Sequence, residues 1–393
     1  MKVKLSDLYD IGSSKRVFQS EWRKSGVPFY RAREIAKLSD DDFVDNELFI
    51  DEELYSEYIE KYGKPEAGDV MVTGVGTLGV CYVVKPEDRF YFKDGNILWF
   101  RQKAKDKILP EYFVKAFDSK EVKDFIDKNS SGTTVGTFTI QTAKKMEISL
   151  PSLDEQKEII DKVTRIELII KQRKQELQLL DNLIKARFVE MFGDPNDTKR
   201  VSDSRHKIGE LCDVTKLAGF EFTEYINYQD SGEIIMLRGL NCKQGKLVLD
   251  NVKYIDRETS NKLPRSRLYV GDILMTYAGT IGDVAMVDED DKYHLAPNVA
   301  KISIVAKDML NPTFLVHLFM YSHDYIMTFA SQVAQASINM QKIRDFEYII
   351  PSMEEQIEFE QFAKQVDKSK VAVQKALTEA QLLFDSLMQQ YFG

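Results

Sequence analysis

Few stretches of this sequence carry residue types at spacings that chemistry requires. Gly74-Val75-Gly76-Thr77-Leu78-Gly79 spells the glycine fingerprint with which a backbone cradles a dinucleotide pyrophosphate. That fingerprint has to lie between a strand and a helix, but Val80-Cys81-Tyr82-Val83-Val84, which follows, has the pattern of a strand. A related stretch further on has Tyr277 at the place of the first glycine and keeps Gly279 and Gly282. These glycines are therefore assigned to a tight turn between strands, and no nucleotide cofactor is expected. Other chemistries fare no better. There is no phosphate-binding P-loop, and the histidines (His206, His294, His317, His323) lack metal-ligand spacing. No serine sits in a nucleophile elbow. Asp118-Ser119-Lys120 has no placed second carboxylate with which to build a nuclease site. Cys81, Cys212 and Cys242 are scattered and odd in number, which fits buried thiols in a reduced, cytoplasmic protein better than disulfides or zinc. Neither a bound metal nor catalysis within this chain is expected.

Recognition chemistry is better represented. A small, polar stretch, Ala336-Ser337-Ile338-Asn339-Met340-Gln341-Lys342, contains amide and hydroxyl side chains of the kind that pair with adenine or reach phosphate. Its counterpart runs from Ser130 to Gln141 and includes Thr133 and Thr134. Arg31, Arg33, Arg238 and Lys243 lie at or just after expected strands, where they could clamp guanine or phosphate. Thr77, Tyr277 and Thr280 of the two glycine turns complete the DNA-binding candidates, with Ser337, Asn339, Gln141, Gln341 and Lys342. The alternative for any one of them is an ordinary polar surface. Net charge is −9, which argues against a simple basic nucleic-acid binder but not against DNA binding, because local patches matter more than the sum. Two acidic knots, Asp40-Asp41-Asp42 and Asp288-Glu289-Asp290-Asp291, would repel phosphate and are expected to face away from DNA.

The elements that position these residues occur twice. At a shift of 200, Pro151-Ser152-Leu153-Asp154-Glu155-Gln156 falls on Pro351-Ser352-Met353-Glu354-Glu355-Gln356, and the match continues without a gap to Phe392-Gly393. At a shift of 203, Gly68, Asp69, Thr73, Gly76, Thr77 and Gly79 meet Gly271, Asp272, Thr276, Gly279, Thr280 and Gly282. The period is far too long for a solenoid and marks a duplicated domain. Each copy opens strand-rich: 26–31 matches 234–238, and 70–73 matches 273–276. Helices then start at Pro110 and Pro312, where the missing N–H of proline costs nothing. Each copy closes on a heptad pattern opened by a capping box, Ser152/Glu155 or Ser352/Glu355. The first seam runs through Ile159, Val163, Ile166, Ile170, Leu177, Leu180 and Ile184. The second runs through Phe359, Val366, Val373, Leu377, Phe384 and Leu387. Arg173, Arg187 and Lys370 interrupt these seams. The expected fold is α+β: two similar mixed modules, at 1–150 and 194–350, joined by two long helices, at 151–193 and 351–393. The helices form an antiparallel coiled coil with pseudo-two-fold symmetry, about 60 Å long at roughly 1.5 Å per residue. No run approaches the apolar length of a membrane span.

These motifs carry a family resemblance. Gly271-Asp272-Ile273-Leu274 with Thr276 and Gly279-Thr280-Ile281-Gly282, then Ser337-Ile338-Asn339, then Ile349-Ile350-Pro351-Ser352-Met353-Glu354-Glu355-Gln356 and a heptad helix, resemble the DNA-specificity subunit of type I restriction–modification enzymes. The pattern at 68–79 and Leu150-Pro151-Ser152-Leu153-Asp154-Glu155-Gln156 resembles it again. The resemblance implies a non-catalytic subunit whose two target-recognition domains each read one half of a split double-stranded DNA site. It implies a helical rod that sets the gap and docks two adenine-methyltransferase subunits, and through them ATP-dependent translocating nuclease subunits. S-adenosylmethionine, ATP and Mg would belong to those partners. The first copy departs from the pattern with Phe138-Thr139-Ile140-Gln141 where the second has Ile338-Asn339-Met340-Gln341. The competing assignments are a coiled-coil scaffold or adaptor without DNA readout, and a single-chain methyltransferase or nuclease, which the lack of a cofactor loop disfavours.

Overall fold

The computed structural model describes residues 2–41, 43–130, 136–197, 205–331 and 336–393. The chain forms two compact units: 1–174 with 375–393, and 175–374. Neither unit is continuous with a simple module-then-helix division, because both long helices are shared out between them.

In the first unit a four-stranded antiparallel sheet has the order Tyr9–Gly12, Ile97–Gln102, Val70–Thr73, Cys81–Val83. Strand side chains alternate between faces. Val70, Val72, Leu98 and Phe100 enter a core with Tyr112, Phe113 and Phe117 of the helix Pro110–Phe117. Met71, Ile97 and Trp99 enter another, with Ile35 and Leu38 of the helix Ala32–Asp41. Covering both faces explains why Val70–Thr73 is buried without alternation. A three-stranded sheet, Phe49–Ile50, Val27–Tyr30, Tyr91–Phe92, stands beyond it, its last pair parallel. Lys2–Lys4 pairs with Glu147–Ser149.

The second unit repeats this plan. Its four-stranded sheet is Cys212–Lys216, Val299–Ile304, Ile273–Thr276, Val284–Met286, and its three-stranded sheet is Lys253–Ile255, Ile234–Leu237, Tyr293–Leu295. Arg205–Lys207 pairs with Glu347–Ile349, and a hairpin, Cys242–Lys243 with Lys246–Leu247, is added. Ile273 and Met275 face one core while Leu274 faces another, as in the first unit.

The duplicated Gly-Asp pair is a structural joint. Asp69 is buried and accepts from Trp99 Nε1 at 2.8 Å, Glu66 N at 3.0 Å and Gln102 N at 3.1 Å. Asp272, also buried, accepts from Ser303 Oγ at 2.6 Å and Tyr269 N at 2.9 Å.

Each long helix, Leu153–Phe192 and Met353–Phe392, opens on a capping box: Ser152 N donates to Glu155 at 2.8 Å and Ser352 N to Glu355 at 3.0 Å. One residue on, Gln156 and Gln356 are fully buried. Gln356 Oε1 accepts from Asn311 N at 2.8 Å, and its Nε2 donates to Met309 O and Pro351 O, each at 2.9 Å. Gln156 does the same with Leu109 N, Lys107 O and Pro151 O. The glutamine thus pins a long helix to the loop that feeds the proline-started helix.

Within each unit the beginning of one long helix lies beside the end of the other, so the pair runs antiparallel. In the first unit Ile159 and Val163 share a core with Met388 and Phe392. In the second, Phe188 packs against Phe192, Phe314, Tyr321 and Phe359, with ring centroids 5.0–5.6 Å apart. Every seam position named above is buried or half-buried. Two seam charges find partners: Lys370 pairs with Asp181, and Arg187 with Glu358 at 2.7 Å. No helix among the described residues is long and apolar enough to cross a membrane.

Candidate nucleic-acid interface

The glycine turns connect adjacent strands of each four-stranded sheet. Thr73 Oγ1 donates to Thr77 O and accepts from Val80 N at 3.0 Å. Thr276 does the same with Thr280 O and Asp283 N. Gly76 and Gly79, like Gly279 and Gly282, have φ between 72° and 88°, a region that disfavours any side chain. The difference between Gly74 and Tyr277 has a packing cause. A Cβ at Gly74 would lie 2.6 Å from Leu98 Cδ1, whereas the matching strand position in the second unit is Ala300. The smaller strand residue removes the side-chain part of that crowding; the backbone oxygen of Phe138, 2.9 Å from the same Cβ, crowds Gly74 as well.

Two further segments flank each turn. Gly74 N donates to Asn96 O at 2.8 Å and Tyr277 N to Asn298 O at 3.0 Å. On the other side Phe138 N donates to Gly74 O at 3.0 Å and Ile338 N to Tyr277 O at 2.9 Å, while Ala278 bridges Ser337. Tyr277, Thr280 and Ser337 are thus brought onto one ridge, with Lys216 Nζ lying 5.6 Å above the Tyr277 ring.

The arginines stand at strand ends. Arg31 follows Val27–Tyr30 and precedes Ala32–Asp41. Three residues on, Glu34 has no exposure, yet it accepts from Arg31 N at 2.9 Å, Arg31 Nη2 at 2.7 Å and Arg33 Nε at 2.9 Å. Burial alone would raise the Glu34 carboxyl, but these bonds outweigh it and hold it at about 2. Arg33 Nη2 also reaches Glu47 at 2.9 Å, which holds the Glu47 carboxyl below its usual range. Arg31, Arg33, Lys37, Thr77 and Asn96 line an open cleft of about 540 Å³. Asp40 of the first acidic knot lines it too; Asp42 lies outside the described residues.

In the second unit Arg238 follows Ile234–Leu237. Its Nη2 donates to Asn251 O and Oδ1, both at 2.9 Å. The backbone N of Arg238 donates to Asn241 Oδ1 at 3.0 Å, and Asn241 is fully buried.

The remaining candidates are more dispersed. Asn339 is a helix cap that accepts from Lys342 N at 2.9 Å, as Thr139 does from Thr142 N in the first unit. Gln341 Nε2 reaches Asp345, and Lys342 Nζ donates to Phe329 O at 2.6 Å. Gln141 is exposed in the first turn of Ile140–Lys145. Lys243 lies on the added hairpin, whose turn bonds to the Val284–Met286 strand rather than to the glycine turn. Thr133 and Thr134 lie outside the described residues. Among the described residues no His, Cys, Asp or Glu cluster could hold a metal ion. All three thiols are buried, and burial pushes Cys212 and Cys242 up to about 12. Sequence reasoning passed over Glu34, Asn241, Asn96 and Asn298. The signal was available, because Arg-x-x-Glu and Arg-x-x-Asn follow matched strands and an asparagine precedes the matched strands 97–102 and 299–304.

Comparison with known proteins places this architecture. Two solved structures share the fold over the whole chain. One is from a study of complex assembly and conformational transition in the type I R-M system (TM-score 0.62, 15% identity, 97% of that chain covered). The other is the S subunit of a type I restriction–modification system from M. genitalium (TM-score 0.55, 12% identity, 96% covered). The family described as type I restriction modification DNA specificity domain matches residues 1–179 and 205–381, and the chain belongs to that family. It is 23% identical to the EcoBI specificity subunit of Escherichia coli, over 100% of this chain and 85% of that one. Over 168 residues it is 29% identical to the Haemophilus influenzae type I specificity subunit candidate S.HindORF215P, a match that spans 42% of this chain and 40% of that protein.

Proposed function

We propose that this chain is the sequence-reading, non-catalytic subunit of a type I restriction–modification complex, each unit contacting one half of a bipartite duplex site. The observation that carries this is the pair of matched ridges. Both are built on the same threonine–glycine turn, but the residues at and beneath their surfaces differ: buried Gly74 against half-buried Tyr277, and half-buried Arg31 over buried Glu34 against half-buried Arg238 over buried Asn241. Equal scaffolds with unequal surfaces suit two different half-sites. The antiparallel helices would fix the spacing between the halves, as dimer geometry fixes half-site spacing elsewhere. They would also dock two methyltransferase subunits. S-adenosylmethionine, and the ATP and Mg of a translocating nuclease subunit, would be held by those partners in the cytoplasm.

The test is long-read methylation mapping in a host expressing this chain with its methyltransferase. A single split adenine motif is expected. Replacing residues 175–374 by the matching unit of a relative should change one half of that motif and leave the other. Absence of a split motif, or a change in both halves, would overturn the proposal. A scaffold without DNA readout predicts no motif at all.

A further inference from the structure

In both units a fully buried side chain three residues beyond the strand-end arginine accepts that arginine's backbone N–H: Glu34 for Arg31 and Asn241 for Arg238. The geometry is the same but the charge is not. Around Arg31 and Arg33, the carboxylates of Glu34 and Glu47 balance two guanidinium charges. Around Arg238 the partners are amides and carbonyls. Asn241 Nδ2 donates to Val248 O at 2.8 Å and to Asn251 O at 3.0 Å, and so fixes the loop whose Asn251 receives the guanidinium. Arg238 has no ion pair among the described residues, and its Nε is buried without a hydrogen-bond partner there. An ionised guanidinium held in place with uncompensated charge and a spare donor is unusual, because buried polar groups are normally satisfied.

Resting on the DNA-reading proposal above, we infer that Arg238 is a duplex-contacting cation of the second unit, and that Asn241 and Asn251 are its positioning residues. Arg31 and Arg33 are instead charge-compensated donors whose direction is fixed by Glu34. The two units therefore bind their half-sites with different electrostatics. The second contributes a counterion-releasing contact at this position; the first contributes orientation with little net charge. Duplex DNA is the ligand because the arginine stands at the strand end matched to the cleft-lining Arg31, and because a planar fork suits guanine or phosphate.

The experiment measures equilibrium binding of the full chain, in complex with its methyltransferase subunits, to a duplex carrying the mapped split motif across a range of salt. Asn251→Asp sets a carboxylate against Arg238 at an exposed position, where it does not threaten folding. Expected is at least a tenfold loss of affinity at low salt and a log–log salt slope shallower by about one. Asn251→Ala removes the side-chain acceptor without adding charge and keeps the backbone acceptor, so it should move the slope by less than half as much. Glu34→Gln should cost about tenfold in discrimination against a duplex altered only in the first unit's half. The inference is overturned if Asn251→Asp leaves affinity and slope unchanged, or if Asn251→Ala moves the slope as far. If the wild-type complex itself does not prefer the mapped duplex over a scrambled one, it is the DNA-reading proposal that fails.

Discussion

Removing the Gln356 side chain is expected to loosen the second unit at one definable joint. Gln356 is fully buried and makes three hydrogen bonds: one accepted from Asn311 N and two donated to Met309 O and Pro351 O. Gln356→Ala leaves one backbone donor and two backbone acceptors without their partner. Each unsatisfied buried group costs about 1–3 kcal/mol. Met309 is only half-buried, so water entering the gap should relieve part of the loss, and a total of about 3 kcal/mol is the reasoned value. Because the chain has two units, one unfolding free energy is ill-defined; the measurement is site-resolved amide hydrogen exchange. Protection should fall at Asn311 and along the helix Pro312–Tyr321, and leave Pro110–Phe117 in the first unit as it was. Gln156→Ala should give the mirror result. Gln356→Glu should be no milder than the alanine change: it keeps the acceptor for Asn311 N but turns the other oxygen against two carbonyls. A change in protection equivalent to less than about 0.5 kcal/mol would refute the assignment of this glutamine as the joint, because surface substitutions alone reach that size.

Two further perturbations follow from the second unit's core. Phe188→Ala removes a fully buried ring that contacts Phe192, Phe314, Tyr321 and Phe359, and should cost about 3–5 kcal/mol in urea unfolding of that unit; a cost below about 1 kcal/mol would contradict the packing. All four histidines lie within 175–374, and burial lowers His294 and His317 from 6.5, so both are held neutral in the folded unit. Below about pH 6.5 the unfolded chain binds protons that the folded unit does not, so their contribution is complete above that pH and is lost as pH falls, by at most about 1.4 kcal/mol per pH unit for each ring. Hydrogen exchange at pH 7.5 and 5.5 should show the second unit weakening more than the first, and His317→Gln should remove part of that difference; an unchanged difference would refute the linkage.

Much of the scaffold was legible because its signals are local or repeated. The capping boxes, the proline-started helices and the heptad seams each depend on neighbours within a few residues, and the duplication supplied every element twice. The assignment of the glycine stretch to a turn between strands is legible in the sequence, since Tyr277 breaks the fingerprint, and the stretch does join two paired strands. The crowding at Gly74 was not legible, because it comes from Leu98, the counterpart of Ala300, across a strand pair and from the distant Phe138 backbone oxygen. The division into units was hidden for the same reason. Heptads reveal that a helix is long, but not that Phe188 and Phe192 belong to the core of 175–374 while Met388 and Phe392 belong to the other. The site was least legible. Asn339 has the side chain of an adenine reader, yet in this structure its carbonyl oxygen caps a helix.

Several positions that agree between copies are spent internally. Asp69 and Asp272 tie sheet to loop, Gln156 and Gln356 tie helix to loop, and Thr73 and Thr276 close the turns. Positions that differ include several at the turn, beneath the strand-end arginine and in the following loop. Some of them differ in compensated pairs. Gly74 with Leu98 becomes Tyr277 with Ala300, and a carboxylate under Arg31 becomes an amide under Arg238. A buried carboxylate changed alone to an amide would leave Arg31 and Arg33 short of a counter-charge. The second unit tolerates the amide because Asn251 supplies neutral acceptors to Arg238. Retuning the surface of either unit therefore requires moving a buried partner with it. Exchanging whole units should transfer recognition more cleanly than exchanging exposed residues one at a time.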